Sequence, residues 1–100
     1  MRLAARTDAN HTTIANVFRD FGASVLSLAA MGNGCPDLLI AYHGTNVLIE
    51  IKDGEKSPSR RALTPDQEVF HAHWQGPIAI VTSIDEAVSI MNRLGRKDAV

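Results

Sequence analysis

Two short apolar segments on either side of a tight turn constrain this chain more than any other feature. Residues 37–42 (Asp-Leu-Leu-Ile-Ala-Tyr) and 47–52 (Val-Leu-Ile-Glu-Ile-Lys) flank His43-Gly44-Thr45-Asn46, a pattern that predicts a β-hairpin. Side chains alternate along a strand, so Val47, Ile49 and Ile51 point one way while Leu48, Glu50 and Lys52 point the other. A four-residue loop centred on Gly44 and Thr45 sets Asp37 opposite Lys52 and Leu39 opposite Glu50. Asp37, Glu50 and Lys52 then share a face, with the two carboxylates diagonal neighbours, roughly 7–8 Å apart at the backbone. An odd loop without a bulge sends Asp37 to the opposite face, so the reading depends on register.

The remaining elements follow from periodicity and punctuation. Ile14, Val17, Phe18 and Phe21 form one apolar stripe, predicting a helix over residues 8–21, started by Thr7 or Asp8 and ended by Gly22. Residues 24–28 read as a short strand, followed by a loop carrying Gly32, Gly34 and Pro36. Thr64-Pro65-Asp66-Gln67 is a capping box with proline at the first helical position, and its helix stops before Gly76-Pro77. Residues 78–81 form a strand. Ser83 and Glu86 then open a last helix with Ile84, Ala87, Val88 and Met91 on one face and Gly95 at its end. The order αβββαβα describes an α/β (α+β) fold, a mixed four-stranded sheet with three helices packed on it.

The 100 residues suit a single domain, residues 1–100, with residues 96–100 read as a flexible tail. With 45% hydrophobic and 21% charged residues, the chain is neither disordered nor collagenous. Its apolar runs are too short for a spanning helix, and its first residues lack the apolar stretch of a secretory signal. Cys35 is the single cysteine, so no internal disulfide forms and a cytoplasmic location is expected. The net charge of −1 excludes a bulk electrostatic drive toward nucleic acid, so any such binding must use local patches or metal ions.

The chemistry that wants two carboxylates beside a lysine is metal-assisted phosphodiester hydrolysis. Carboxylate and water oxygens suit Mg²⁺, which lowers the pKa of a bound water and offsets charge on the phosphate. A neighbouring lysine can orient or deprotonate the nucleophile, or stabilise the developing charge.

Pro36-Asp37, a gap, then Glu50-Ile51-Lys52 resembles the PD-(D/E)xK nuclease motif. The wider text, Gly34-Cys35-Pro36-Asp37-Leu38-Leu39-Ile40, Leu48-Ile49-Glu50-Ile51-Lys52-Asp53-Gly54 and Leu63-Thr64-Pro65-Asp66-Gln67, is similar to small VRR-NUC-type and Holliday-junction-resolvase-like nucleases, including short phage-encoded ones. The resemblance covers most of the chain. It implies a restriction-endonuclease-like core, Mg²⁺ or Mn²⁺ dependence, a DNA substrate and a homodimer. It makes Asp37, Glu50 and the Ile51 backbone carbonyl metal ligands, Lys52 the catalytic lysine and Gln67 a further site residue. Asn10, or Asp8 as the acidic alternative, stands where some relatives carry an acid on the first helix.

Plainer readings stand beside these. Asp37 and Lys52 can be a cross-strand ion pair. Gln67 occupies the capping-box position of Thr64, and one side chain is not expected both to cap and to reach a site. Asn10 follows Thr7 by three residues and can serve as a cap partner. His11, His43, His71 and His73 have no zinc-site spacing. Cys35 reads as a bystander, and Phe70 and Trp74 read as core residues. Lys56, Arg60 and Arg61 form the one local basic cluster, placed to touch phosphates beside the Glu-x-Lys strand. A nuclease fold kept only for binding nucleic acid or protein is the alternative function, and an RNA substrate is a further one.

Overall fold

The computed structural model describes residues 10–96; Thr7, Asp8, the terminal cations Arg2, Arg6 and Lys97, and residues 97–100 of the expected tail lie outside them, while Arg96, read as the start of that tail, is the last residue of a helix. Helix α1 spans His11–Asp20, strands β1, β2 and β3 span Ser24–Ser27, Leu38–Tyr42 and Thr45–Ile51, α2 spans Pro65–His73, β4 Ile78–Val81 and α3 Ile84–Arg96. A single 3-10 turn at Pro58–Arg60 interrupts the long loop before α2. This is a mixed α/β arrangement. The sheet runs β1-β2-β3-β4, antiparallel through β3 and parallel between β3 and β4, and α2 lies on the crossover between those two parallel strands.

Alternation divides the sheet into two faces. Leu38, Ile40, Val47, Ile49, Ile51 and Val81 form one buried cluster with Ile14 and Phe18 of α1 and Ala87, Ile90, Met91 and Leu94 of α3. The apolar stripes of α1 and α3 are what the sheet covers, and burying side chains of this size contributes about 1.5–3 kcal/mol each. The opposite face carries Leu39, Leu48, Glu50 and Lys52 and is met by α2, which buries none of its own residues. Phe70 and Trp74 therefore do not enter the core; their rings stack on each other, with Trp74 exposed. Among the described residues no helix is long and apolar enough to cross a membrane.

The hairpin differs from expectation in a way that matters. The turn is two residues, His43 and Gly44, not four, and pairs Tyr42 with Thr45, Leu39 with Leu48 and Leu38 with Ile49. Both turn residues have positive φ, +51° at His43 and +78° at Gly44, the backbone that matches the twist of a tight hairpin. Asp37 therefore does not face Lys52, and Leu39 does not face Glu50. Because two and four are both even, the faces are unchanged, and Glu50 and Lys52 stay off the core side. At the helix starts, Asn10 precedes α1 without a side-chain capping bond. The α3 cap is shifted: Ser83 Oγ accepts the Glu86 N–H, while Glu86 Oε1 accepts from Thr82 instead of Ser83.

Candidate active site

The site begins where the hairpin ladder ends. Pro36 has no N–H to continue the pairing of β2 with β3. Asp37 donates its own N–H to the Ile49 carbonyl at 3.0 Å, and its Oδ2 accepts the Ile51 N–H at 2.7 Å. A carboxylate thus takes the place of a backbone carbonyl at the strand end, which fixes Asp37 against the Glu50-Ile51-Lys52 run. Ile51 itself drives its side chain into the core and holds this segment down. Glu50, one residue back, is 2% exposed and is the only buried charged residue among those described. A carboxylate sunk this deep costs several kcal/mol unless donors or cations meet it.

Helix α2 supplies such a donor. Gln67 Nε2 donates to Glu50 Oε2 at 3.2 Å, and Gln67 Oε1 accepts from Lys52 Nζ at 2.8 Å. The same Oε1 accepts the Thr64 N–H at 2.9 Å, and Thr64 Oγ1 accepts the Gln67 N–H, so the capping box is complete. Capping and site contact, expected to exclude each other, are made by one amide. Its orientation is dictated chemically: reversed, the NH₂ would face the Lys52 ammonium and an N–H, donor against donor. The capping box is therefore also the device that ties Lys52 to Glu50.

His71 lies one turn after Gln67 and brings Nε2 to 3.7 Å from Glu50 Oε1. Burial lowers its pKa, and the Lys52 charge lowers it further, favouring a neutral imidazole beside the carboxylate. Burial also pushes the Cys35 thiol up, reinforced by Glu50 and then Asp37, so Cys35 is held as a thiol and is a poor nucleophile. In the sequence His71 stands only as one of four histidines without zinc-site spacing. The signal available was its spacing of four from Gln67, which sets both side chains on one helix face.

Among the described residues no three His, Cys, Asp or Glu side chains form a metal cage. The donors present are two carboxylates and the Ile51 carbonyl, all hard oxygens. A carboxylate has about four lone-pair sites, so neither the Ile51 N–H nor the Gln67 amide exhausts its partner. That set fits a divalent cation that keeps much of its water, as Mg²⁺ does, and does not fit a soft metal.

The other candidate residues fall elsewhere. Asn10 Nδ2 donates to the carbonyls of Lys52 at 3.1 Å and Thr82 at 3.3 Å, clamping the ends of β3 and β4 to the start of α1. That use needs a donor, which an aspartate at this position would lack. Lys56, Arg60 and Arg61 are exposed on the loop joining Lys52 to α2. A larger cleft of about 550 Å³ lies between the starts of α1 and α3, and none of Asp37, Glu50, Lys52 or Gln67 lines it. Comparison with protein-family models, with curated proteins and with solved structures finds no match to this chain.

Proposed function

We propose that this chain is a metal-dependent DNA endonuclease of the PD-(D/E)xK type, on a restriction-endonuclease-like core, acting on branched or junction DNA. The observation that carries the reading is the hydrogen-bonded chain Lys52–Gln67–Glu50, with Asp37 bound to the backbone between Glu50 and Lys52. A plain cross-strand ion pair would not need a second helix to align the lysine with the buried carboxylate.

In this reading Asp37, Glu50 and the Ile51 carbonyl would hold Mg²⁺ or Mn²⁺. When bound, the cation supplies charge for the phosphate and lowers the pKa of a coordinated water. The protein's own part is positional. Gln67 Oε1 accepts a hydrogen bond from one N–H of the Lys52 ammonium, which aims the rest of that group toward the space beside Glu50. There it can donate to a phosphate oxygen whose negative charge grows as the bond breaks. Lys56, Arg60 and Arg61 contact backbone phosphates and set register without reading bases. A homodimer in the cytoplasm would present two such sites, one for each strand.

The test is cleavage of labelled four-way-junction, flap, duplex and single-stranded DNA, with matched RNA, in Mg²⁺, Mn²⁺ or EDTA. Wild type is run beside Asp37→Ala and Lys52→Ala, with folding checked by circular dichroism. Metal-dependent cutting of DNA, lost in both folded variants, is expected. Binding without cutting in either metal would sink the catalytic reading in favour of a binding module.

A further inference from the structure

We propose that the groove beside α2 seats an unpaired nucleobase, stacked on Trp74, within a few nucleotides of the scissile phosphate; the inference rests on the nuclease reading above. The groove has a volume of about 400 Å³ and is lined by Asn33, Asp66, Val69, Phe70, His73 and Trp74.

Its platform is preset. Trp74 is 47% exposed although its ring stacks on Phe70, with centroids 5.4 Å apart and planes at 14°. The edge of the indole rests against bare backbone, since a Cβ on Gly76 would lie 3.0 Å from Trp74 Nε1. Held between Phe70 and Gly76, the ring has little freedom to lose on binding, which favours stacking. The facing wall is equally tied. Gly34 packs so closely on α2 that a Cβ there would run into the Asp66 carbonyl, and this brings Asn33, at φ +57°, to the rim.

The polar groups of the groove choose its occupant. No Lys or Arg lines it, and the Asp66 carboxylate repels a phosphate, so the sugar-phosphate backbone is not what enters. An aliphatic side chain of a protein partner has no use for Asp66 or Asn33. A base has both a flat face for the indole and a polar edge for these groups. A carboxylate accepts from the exocyclic amine of cytosine, whereas thymine has no such amine and offers it only the single N3–H. His73 is tied to the helix, its Nδ1 donating to the Val69 carbonyl at 2.9 Å.

Continuity with the site comes from the helix itself. Gln67, His71 and Trp74 fall at i, i+4 and i+7, one stripe of α2. Trp74 is thus about 10 Å along the axis from Gln67. That is the span of roughly three stacked nucleotides at ~3.4 Å each. The base seat therefore selects DNA with an unpaired nucleotide beside the cut, a flap or branch in preference to plain duplex.

Trp74 is the only tryptophan, so its fluorescence reports on this groove alone. Flap DNA carrying dC, dT or an abasic residue within three nucleotides of the branch is titrated into wild type in EDTA. The titration is repeated with Mg²⁺ on Lys52→Ala. Fluorescence is read beside the anisotropy of labelled DNA. Expected is saturable quenching with dC, weaker quenching with dT and none with the abasic residue. Trp74→Ala should weaken binding about 5- to 150-fold, the range of one base–aromatic stack. Trp74→Phe should recover part of it, and Asp66→Ala should erase the preference for dC over dT. Binding by anisotropy with unchanged fluorescence, or equal binding of the abasic flap, overturns the base seat while leaving the nuclease reading intact. Fluorescence that shifts with protein concentration alone assigns the groove to a second copy of the chain and also overturns it. Neither binding nor cleavage of any DNA would defeat the nuclease reading, and this inference with it.

Discussion

The two faces of the sheet use the same strands for opposite purposes. Against α1 and α3, the residues Leu38, Ile40, Ile49 and Ile51 close a cluster in which Ile14 and Phe18 are fully buried. Against α2, the same strands present Glu50 and Lys52, and the helix answers with Gln67 and His71 and buries nothing of its own. The first face is held by apolar area, which tolerates small shifts. The second is held by directional hydrogen bonds, each of which needs its partner within a few tenths of an ångström. A fold that draws its stability from one face is free to set a buried carboxylate in the other.

That division can be broken experimentally. Phe18→Ala opens a cavity in the apolar face and should cost about 3–5 kcal/mol. Such a loss is a large share of the ~5–15 kcal/mol typical of a domain. Urea unfolding measures it, and a loss below ~1 kcal/mol would mean that stability does not reside there.

On the other face the effect should appear in activity. Gln67→Ala removes the partner of Lys52, Glu50 and the Thr64 N–H together, and should lower cleavage roughly 10- to 100-fold, as loss of supporting contacts to metal ligands does. Its stability cost should exceed the roughly 1 kcal/mol of Thr64→Ala, because the buried Glu50 loses a donor, whereas Thr64→Ala removes only the reciprocal capping bond and leaves the Gln67 amide in place. Equal loss of cleavage in both variants would show that Gln67 acts only as a cap.

In cation affinity Asn10→Asp gives the smallest expected change, and it sharpens the boundary between the faces. The two carbonyls it serves would lose their donor, at about 1–3 kcal/mol. Calorimetry with Mn²⁺ should show no gain in affinity. A gain would place the start of α1 at the proposed cation site and merge the two faces.

Much of the architecture was readable in the chain because its signals are local. Alternation in Val47 to Lys52 separates Ile49 and Ile51 from Glu50 and Lys52 whatever surrounds them. Thr64, Pro65 and Gln67 announce a helix start within four residues. The hairpin register was less legible, since His43 at φ +51° occupies a position that sequence preference assigns to glycine or asparagine. The site was legible as a set of residues and not as a network. Nothing local tells Gln67 that its carbonyl will meet Lys52 15 positions away, or its NH₂ the Glu50 carboxylate 17 positions away.

The sequence by itself determined the elements, their order, the apolar stripes of α1 and α3 and the face on which Glu50 and Lys52 stand, because periods of 2 and 3.6 are properties of a single segment. The tertiary structure alone decided that Asp37 would cap the end of β3, that Asn10 would clamp two strand ends and that His71 would meet Glu50. It also decided that Trp74 would stand at the surface. The Asp37 contact depends on the hairpin register, and the others on where α1 and α2 dock against the sheet, which is set by the summed packing of the whole chain.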